Sequence, residues 1–197
     1  MGIPPGWDPL AMIQACRSSE WHGHAWRHHA AAREATNSAG SIKFSGRYNR
    51  GHDQFDPAEC WEALYLSLGR DIVLGELIKH LGEDGKPQFP RLRNRRISKL
   101  YLELANVVDC RDVSSFGLQK HDLSGDDGSG EEQAYLIGHA IAGAAVLLGH
   151  EAMLVPSATL LGDNVIVFPA NPRHSSRIAV IESVDPVLYV KSRHSNG

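Results

Sequence analysis

The strand-like parts of this chain are short runs in which apolar and polar positions alternate, or which are apolar throughout. In EALYLS, from residue 62 to 67, Tyr65 lies on the face opposite to Leu64 and Leu66. Trp26 and Arg27, within WHGHAWRHHA, are predicted to open an earlier strand. Later runs of the same kind predict further strands at KLYLELANVVDC, AMLVPS, NVIVFP and RIAVIESV.

Apolar residues at helical spacing predict two substantial helices. The first is RDIVLGELIKHLG, and the second is EEQAYLIGHAIAGAAVLLG. Ser129 and Glu132 match a capping box, so the second helix is expected to begin directly after the glycine- and acid-rich loop SGDDGSG. The stretch between the first helix and the KLYLELANVVDC strand, residues 83–96, is predicted to be a loop.

These elements favour one domain of the α+β class. Residues 1–25 show neither the helical nor the strand periodicity and are interpreted as an irregular N-terminal segment. In residues 26–190 the strands and helices are mixed, without the regular alternation of βαβ units. A chain of 197 residues is long enough for one sizeable core and short for two.

Composition narrows the class of protein. A hydrophobic content of 42% and a charged content of 22% are ordinary for a soluble domain. The net charge of −3 disfavours general capture of nucleic acid or anionic membrane. No secretory signal or membrane-length apolar run is evident, and the three cysteines form no CxxC pair. A cytoplasmic location is the simplest interpretation.

Glu76 and Tyr65 are the first candidates for chemistry. On the helical wheel Glu76 falls at the edge of the apolar stripe, which suits either a partly buried structural acid or a carboxylate turned into a cleft. Tyr65 lies on the preceding strand, and a strand-to-helix connection can bring two such side chains to one cleft. Taken alone, Tyr65 also suits a core aromatic residue.

The stretch FSGRYN adds an arginine in an unusual setting. The planar guanidinium of Arg47 suits a carboxylate or phosphate bound through two hydrogen bonds, although a surface ion pair is the plainer alternative. Gly46 favours a special turn or a close approach of the backbone. Ser129 is compatible both with helix capping and with an anion site at the helix N-terminus.

Other chemistries find little support in the sequence. The chain has 11 histidines, but no HExxH motif or CxxC pair is present, so a metal site is not expected. The basic run at residues 91–96 is interpreted as a solvated face. No P-loop, GxGxxG or GxSxG motif occurs, and Ser157 has no neighbour in sequence that would activate it.

In combination, these pieces resemble the RES-domain family, which is named for its arginine, glutamate and serine. The likeness covers residues 26–184 and depends on short motifs in the family's order. The motifs are WRH with Arg27, FSGRYN with Arg47, EALYLS with Tyr65, the helix with Glu76, GDDGSGEEQAYLIGHA with Ser129, and LVPSATLLGDNVIVFP with Ser157 and Asn164.

The resemblance implies a fold and an activity. Family members resemble ADP-ribosyltransferases, with mixed β-sheets and flanking helices, and the longer members act as toxins of toxin–antitoxin pairs. They degrade NAD+ by splitting the nicotinamide–ribose bond, through hydrolysis or phosphorolysis. NAD+ is then the substrate, inorganic phosphate a potential co-substrate, and no cofactor is expected. The implied partner is a cognate antitoxin that blocks the active site and often carries a helix-turn-helix domain.

The resemblance also implies roles for individual residues. Glu76 would stabilise the positive charge that develops on the ribose as nicotinamide leaves. Arg27 and Arg47 would hold the pyrophosphate or ribose of a bent dinucleotide. Tyr65, together with Tyr48, would offer an aromatic face to the nicotinamide ring.

Four further residues are expected to bind the substrate. Asn49 belongs to the same FSGRYN motif as Arg47. Ser129 would contact the ribose or an inorganic phosphate, and Ser157 and Asn164 would shape the site through hydrogen bonds.

Two alternatives stay open at this stage. One is a toxin that transfers ADP-ribose to a protein, although the extra acid of an E-x-E pattern is replaced here by Leu74. The other is a non-catalytic module that binds a partner or nucleic acid, although direct DNA binding is not expected from the net charge. The sequence leaves the oligomeric state open, a homo-oligomer included.

Overall fold

The computed structural model describes residues 6–81, 88–124 and 131–188. This part of the chain combines α-helices with a six-stranded sheet, which confirms the α+β prediction. The helices are α1 (Pro9–Ala15), α2 (Arg70–Leu81), α3 (Phe89–Leu92), α4 (Lys120–Ser124) and α5 (Glu131–Leu147). The strands are β1 (Ser18–Ala30), β2 (Leu64–Ser67), β3 (Arg95–Asp109), β4 (Ala152–Pro156), β5 (Asp163–Val167) and β6 (Arg177–Val184).

The strand pairings form a closed circuit. β1 pairs with β2, β2 with β5 and β5 with β4, all antiparallel. β4 then pairs in parallel with the end of β3, and β3 returns to β1 along most of its length. β6 pairs with β3 as an additional strand. A circuit of this kind leaves few exposed strand edges.

Alternation along the strands separates an inner and an outer side of the circuit. One apolar cluster takes residues from β1 to β5 and fills the inner side; it includes Ala25, Leu64, Leu66, Leu100, Leu102, Leu154 and Val165. On the outer side, α5 packs Ile137 and Ile141 in a cluster with Met153 and Ile166. In a third cluster, α2 packs against Trp26 and Ile97.

Several predicted elements are confirmed. The helices α2 and α5 occupy the predicted segments, as do β2, β3, β4, β5 and β6. Leu64 and Leu66 lie in the inner cluster, whereas Tyr65 packs against the outer one, as their alternation predicted. Within the part of the chain that the structure describes, no helix is long and apolar enough to cross a membrane.

The expectation of an irregular segment at residues 1–25 was wrong for its described part. Asp8 caps α1 by accepting hydrogen bonds from the backbone N–H groups of Leu10 and Ala11, at 3.1 Å each. β1 then begins at residue 18, so Trp26 and Arg27 lie in its last third instead of opening it. Its histidine-rich sequence does not show strand periodicity, because the pairing with β3 stabilises it more than its own side chains do.

Two short helices were also missed. Residues 89–92 form α3 inside the stretch predicted as a loop, with Leu92 buried against α2. The segment before SGDDGSG contains α4, which packs Leu123 in the outer cluster. Each is only one turn long, too short for apolar periodicity to reveal it.

Candidate active site

The carboxylate of Glu76 is held by two side chains that are distant in sequence. Ser157 donates a hydrogen bond from Oγ to Oε1 of Glu76 at 2.7 Å, and Asn164 donates one from Nδ2 to the same oxygen at 2.9 Å. Glu76 lies in the middle of α2, while Ser157 directly follows β4 and Asn164 lies in β5. Because β4 and β5 form an antiparallel pair, they present both donors to the helix together.

Two glycines let the β4–β5 hairpin approach α2 closely. A Cβ at Gly162 would lie 2.5 Å from Cδ1 of Ile72, and a Cβ at Gly75 would lie 3.0 Å from Cδ1 of Leu161. Gly162 also has a φ of 157°, which L-residues rarely adopt. At both positions the glycine leaves room for the end of a neighbouring side chain between the hairpin and the helix, which helps to bring Ser157 within reach of Glu76.

The site around Glu76 is partly enclosed. Ser157 and Asn164 are 1% and 6% exposed, whereas Glu76 is half-buried. The Oδ1 atom of Asn164 is buried without a hydrogen bond to any residue that the structure describes. A carboxylate fixed by two donors is oriented before any ligand arrives, and it can stabilise a nearby cation.

A tight turn from Gly46 to Asn49 presents Arg47. The backbone groups of Gly46 and Asn49 pair with each other, at 3.1 and 3.3 Å. The Tyr65 hydroxyl closes the turn from the sheet side, accepting from the Tyr48 N–H and donating to Oδ1 of Asn49, each at 2.8 Å. A Cβ on Gly46 would lie 2.6 Å from the Tyr65 hydroxyl oxygen, which confirms the predicted close approach of the backbone.

The Asn49 side-chain amide and the Tyr48 carbonyl of the turn form hydrogen bonds with residues outside it. Asn49 donates from Nδ2 to the carbonyl oxygens of Ser41 and Phe44, and Trp61 donates from its indole N–H to the carbonyl of Tyr48 at 3.0 Å. Asn49 is 1% exposed, so its amide holds the loop together. In this structure Asn49 and Tyr65 position the turn, and their contact with substrate stays a prediction.

Tyr48 lies near the charges of both Arg47 and Glu76. Its side chain is 3% exposed, and burial raises the pKa of its phenol above the ordinary tyrosine range. The charge of Arg47 lowers that pKa and the charge of Glu76 raises it, so both charges lie near the same phenol. Burial likewise raises the pKa of Tyr65, and both phenols are therefore neutral at physiological pH.

Helix α5 forms the other support of the turn. A Cβ at Gly138 would collide with the Arg47 carbonyl oxygen, so the turn lies directly on the helix at this glycine. The next residue, His139, lies 2.8 Å from the Gly46 carbonyl through its Nε2 atom. Sequence reasoning assigned no role to His139; its indication was a single polar residue between apolar and small residues of a helix.

The structure does not bring Arg27 to Glu76. Trp26 packs against α2 on the outer side of the sheet, so the neighbouring Arg27 faces the inner side. There its Nη1 donates to the carbonyl oxygens of Ala35 and Asn37, at 2.6 and 2.8 Å. Burial, with a smaller effect of Arg33, lowers its pKa to about 10. Its contact with a substrate phosphate stays a prediction.

Two expectations remain, the role of Ser129 and the absence of a metal site. Ser129 and the SGDDGSG loop from residue 125 onward lie outside the described residues. Within residues 6–81, 88–124 and 131–188, no group of three histidine, cysteine or acidic side chains is arranged to hold a metal ion.

The fold and this site define an α+β protein with an oriented carboxylate and a tight, arginine-bearing turn, whose charges both affect Tyr48. The profile of the RES domain matches residues 21–189, and the chain belongs to the RES domain family. A chain in the crystal structure of the M. tuberculosis MbcT–MbcA toxin–antitoxin complex has the same fold, with a TM-score of 0.72. The two chains are 23% identical, and the alignment covers 95% of this chain and 97% of the other. A search of curated proteins finds no match.

Proposed function

We propose that this protein is the toxin of a toxin–antitoxin pair and that it degrades NAD+ by cleaving the nicotinamide–ribose bond. The observation that carries the proposal is the Glu76 carboxylate, which Ser157 and Asn164 fix at 2.7 and 2.9 Å. Membership of the RES domain family supports it, as does the likeness in fold to a chain of a toxin–antitoxin complex.

The chemistry requires a fixed negative charge next to the ribose. Departure of nicotinamide leaves an oxocarbenium-like sugar, and a carboxylate whose orientation is already set stabilises that cation without reorganising. Nicotinamide leaves as a neutral molecule, so no strong general acid is needed. Arg47, on its tight turn, would bind the pyrophosphate or ribose of the substrate.

Transfer of ADP-ribose to a protein is less well supported. Leu74, two residues before Glu76, is 6% exposed and packs in the cluster between α2 and the sheet. An acid that prepares a protein acceptor would have to face the site, and this position faces the core instead. Water and inorganic phosphate are therefore the acceptors that we propose, with the cognate antitoxin, carrying a helix-turn-helix domain, as the partner that blocks the site.

The test follows NAD+ loss with purified protein, with and without phosphate. Chromatography separates nicotinamide from ADP-ribose, the product with water, and from ADP-ribose 1″-phosphate, the product with phosphate. Glu76→Gln keeps the size of the side chain and removes its charge, and we expect at least a hundredfold loss in rate. Glu182→Gln, at an exposed position of β6, is the matched control and should retain full activity. Wild-type rates in the Glu76 variant would refute the proposal.

A further inference from the structure

His139 is a buried histidine for which neither the fold nor the proposed reaction has yet required a role. Its side chain is 4% exposed and lies in α5 between Gly138 and Ala140. The Nε2 atom is 2.8 Å from the carbonyl oxygen of Gly46. Since a carbonyl oxygen only accepts hydrogen bonds, the proton must be on Nε2.

The imidazole ring has little freedom to leave this position. The rings of Phe55, Tyr135 and Trp61 all meet it edge-on, at 82°, with centroids 5.3, 5.9 and 6.4 Å away. Trp61 also binds the turn itself, through the carbonyl of Tyr48. The histidine and the tryptophan that packs on it therefore hold two successive parts of the same turn.

The hydrogen bond lies at the base of the Arg47 side chain. Gly46 is the residue before Arg47, and its carbonyl carbon is bonded directly to the Arg47 nitrogen. On the other side, Gly138 lets the Arg47 backbone rest on α5 without a side chain between them. Rotation or displacement of the turn is thus opposed by α5 at two adjacent residues, one by contact and the other by a hydrogen bond.

We propose that His139 is a positioning residue of the active site, whose Nε2–H group fixes the turn that directs Arg47 toward the substrate. This inference rests on the proposed function, because the substrate that Arg47 meets is taken to be NAD+. His139 itself touches no reacting atom and acts through Arg47.

Burial is consistent with the required protonation state. It lowers the pKa of His139 below the ordinary histidine range, against the opposing effect of the backbone groups of Gly46 and Asn49. The ring is therefore neutral at physiological pH, with its one proton on the nitrogen that faces Gly46. Arg50 lowers this pKa and Asp53 raises it, both less than burial does.

The kinetic test is a double-mutant cycle between His139 and Arg47 with NAD+ as substrate. We expect His139→Ala to lower kcat/KM by about 10- to 100-fold, the loss that a displacement on the order of 1 Å produces. His139→Gln places an amide N–H near the position of Nε2. Its kcat/KM should therefore lie within about fivefold of wild type, a difference on the order of one hydrogen bond.

In the Arg47→Ala background, His139→Ala should cause no further loss, because the group that it positions is already gone. Equal losses in both backgrounds, or full activity of His139→Ala, would overturn the inference. Thermal melting of every variant identifies any that fail to fold, and His139→Gln then carries the comparison.

A measurement without turnover separates this inference from the proposed function. Nitrogen-15 NMR of the histidine ring in wild-type protein should show the Nε2–H tautomer, and an Nδ1–H tautomer would overturn the role of His139. A wild-type protein that leaves NAD+ intact but shows the Nε2–H tautomer would refute the proposed reaction and leave the support of the turn standing.

Discussion

Tyr65 has two possible uses, and a single oxygen atom distinguishes them. If its ring stacks on nicotinamide, as the resemblance implied, Tyr65→Phe keeps that surface and should keep activity. If its hydroxyl supports the Gly46–Asn49 turn, the same substitution removes two hydrogen bonds of 2.8 Å. The geometry favours the second use, so we expect Tyr65→Phe to lose both stability and activity.

The magnitude follows from what remains after the substitution. The N–H of Tyr48 and the Oδ1 of Asn49 both lose their partner in a buried place, since these residues are 3% and 1% exposed. Each unsatisfied group costs about 1–3 kcal/mol, so the free energy of unfolding should fall by about 2–4 kcal/mol, allowing for some relaxation. That is a large part of the roughly 5–15 kcal/mol by which a domain is stable.

Tyr48→Phe provides the matched control. The Tyr48 hydroxyl is buried and has no hydrogen bond to any residue in the described part of the chain. Removing it leaves no group unsatisfied, so stability should stay within about 0.5 kcal/mol or rise slightly. Urea unfolding of both variants measures the difference, and NAD+ consumption measures activity. Equal stability of Tyr65→Phe and wild type would refute the structural role of the hydroxyl.

Two further substitutions test the packing of the turn and a buried histidine. Gly138→Ala should destabilise the protein and lower NAD+ cleavage, because its Cβ would collide with Arg47. Gly143→Ala in the same helix is the control and should stabilise the protein by about 0.5–1 kcal/mol. Thermal melting and activity assays compare the two variants, and equal effects would contradict the close contact. Burial lowers the pKa of His28 to about 3, so between that value and the unfolded value near 6.5 the unfolded chain binds more protons, and stability falls as the pH is lowered. His28→Phe should reduce this fall by up to about 1.4 kcal/mol per pH unit in urea unfolding, and an unchanged pH slope would argue against the buried neutral ring.

Local patterns predicted most of the fold because most elements carry their own periodicity. The helices α2 and α5 are long enough to show it, and β2 shows alternation within four residues. Among the strands, β1 is the exception, since twelve residues of SSEWHGHAWRHHA pair with β3, which lies 65 or more positions later. The residues that specify this strand are therefore in its partner, β3, and not in the segment itself.

The candidate site, like the fold, was predictable only where its residues are close in sequence. The strand-to-helix connection from Tyr65 to Glu76 could be predicted because the two elements are consecutive. The contacts of Glu76 with Ser157 and Asn164 span 81 and 88 residues, and only the family resemblance named those partners. Two of the residues that support the turn from outside its motif, Trp61 and His139, belong to no motif that links them to the turn.

The candidate site is therefore assembled from two supports that are joined through the pairing of β2 with β5. The β4–β5 hairpin fixes Glu76 through side-chain hydrogen bonds, whereas α5 and β2 fix the Arg47 turn through its backbone. Tyr48 lies where the two supports meet, because its phenol is affected by both charges. A substrate that engages both charged groups must bridge the two supports, and the proposed dinucleotide would do so with its ribose and its pyrophosphate. In the proposed reaction the cationic sugar would form beside Glu76 while the phosphates stay with Arg47, each group being held by its own support.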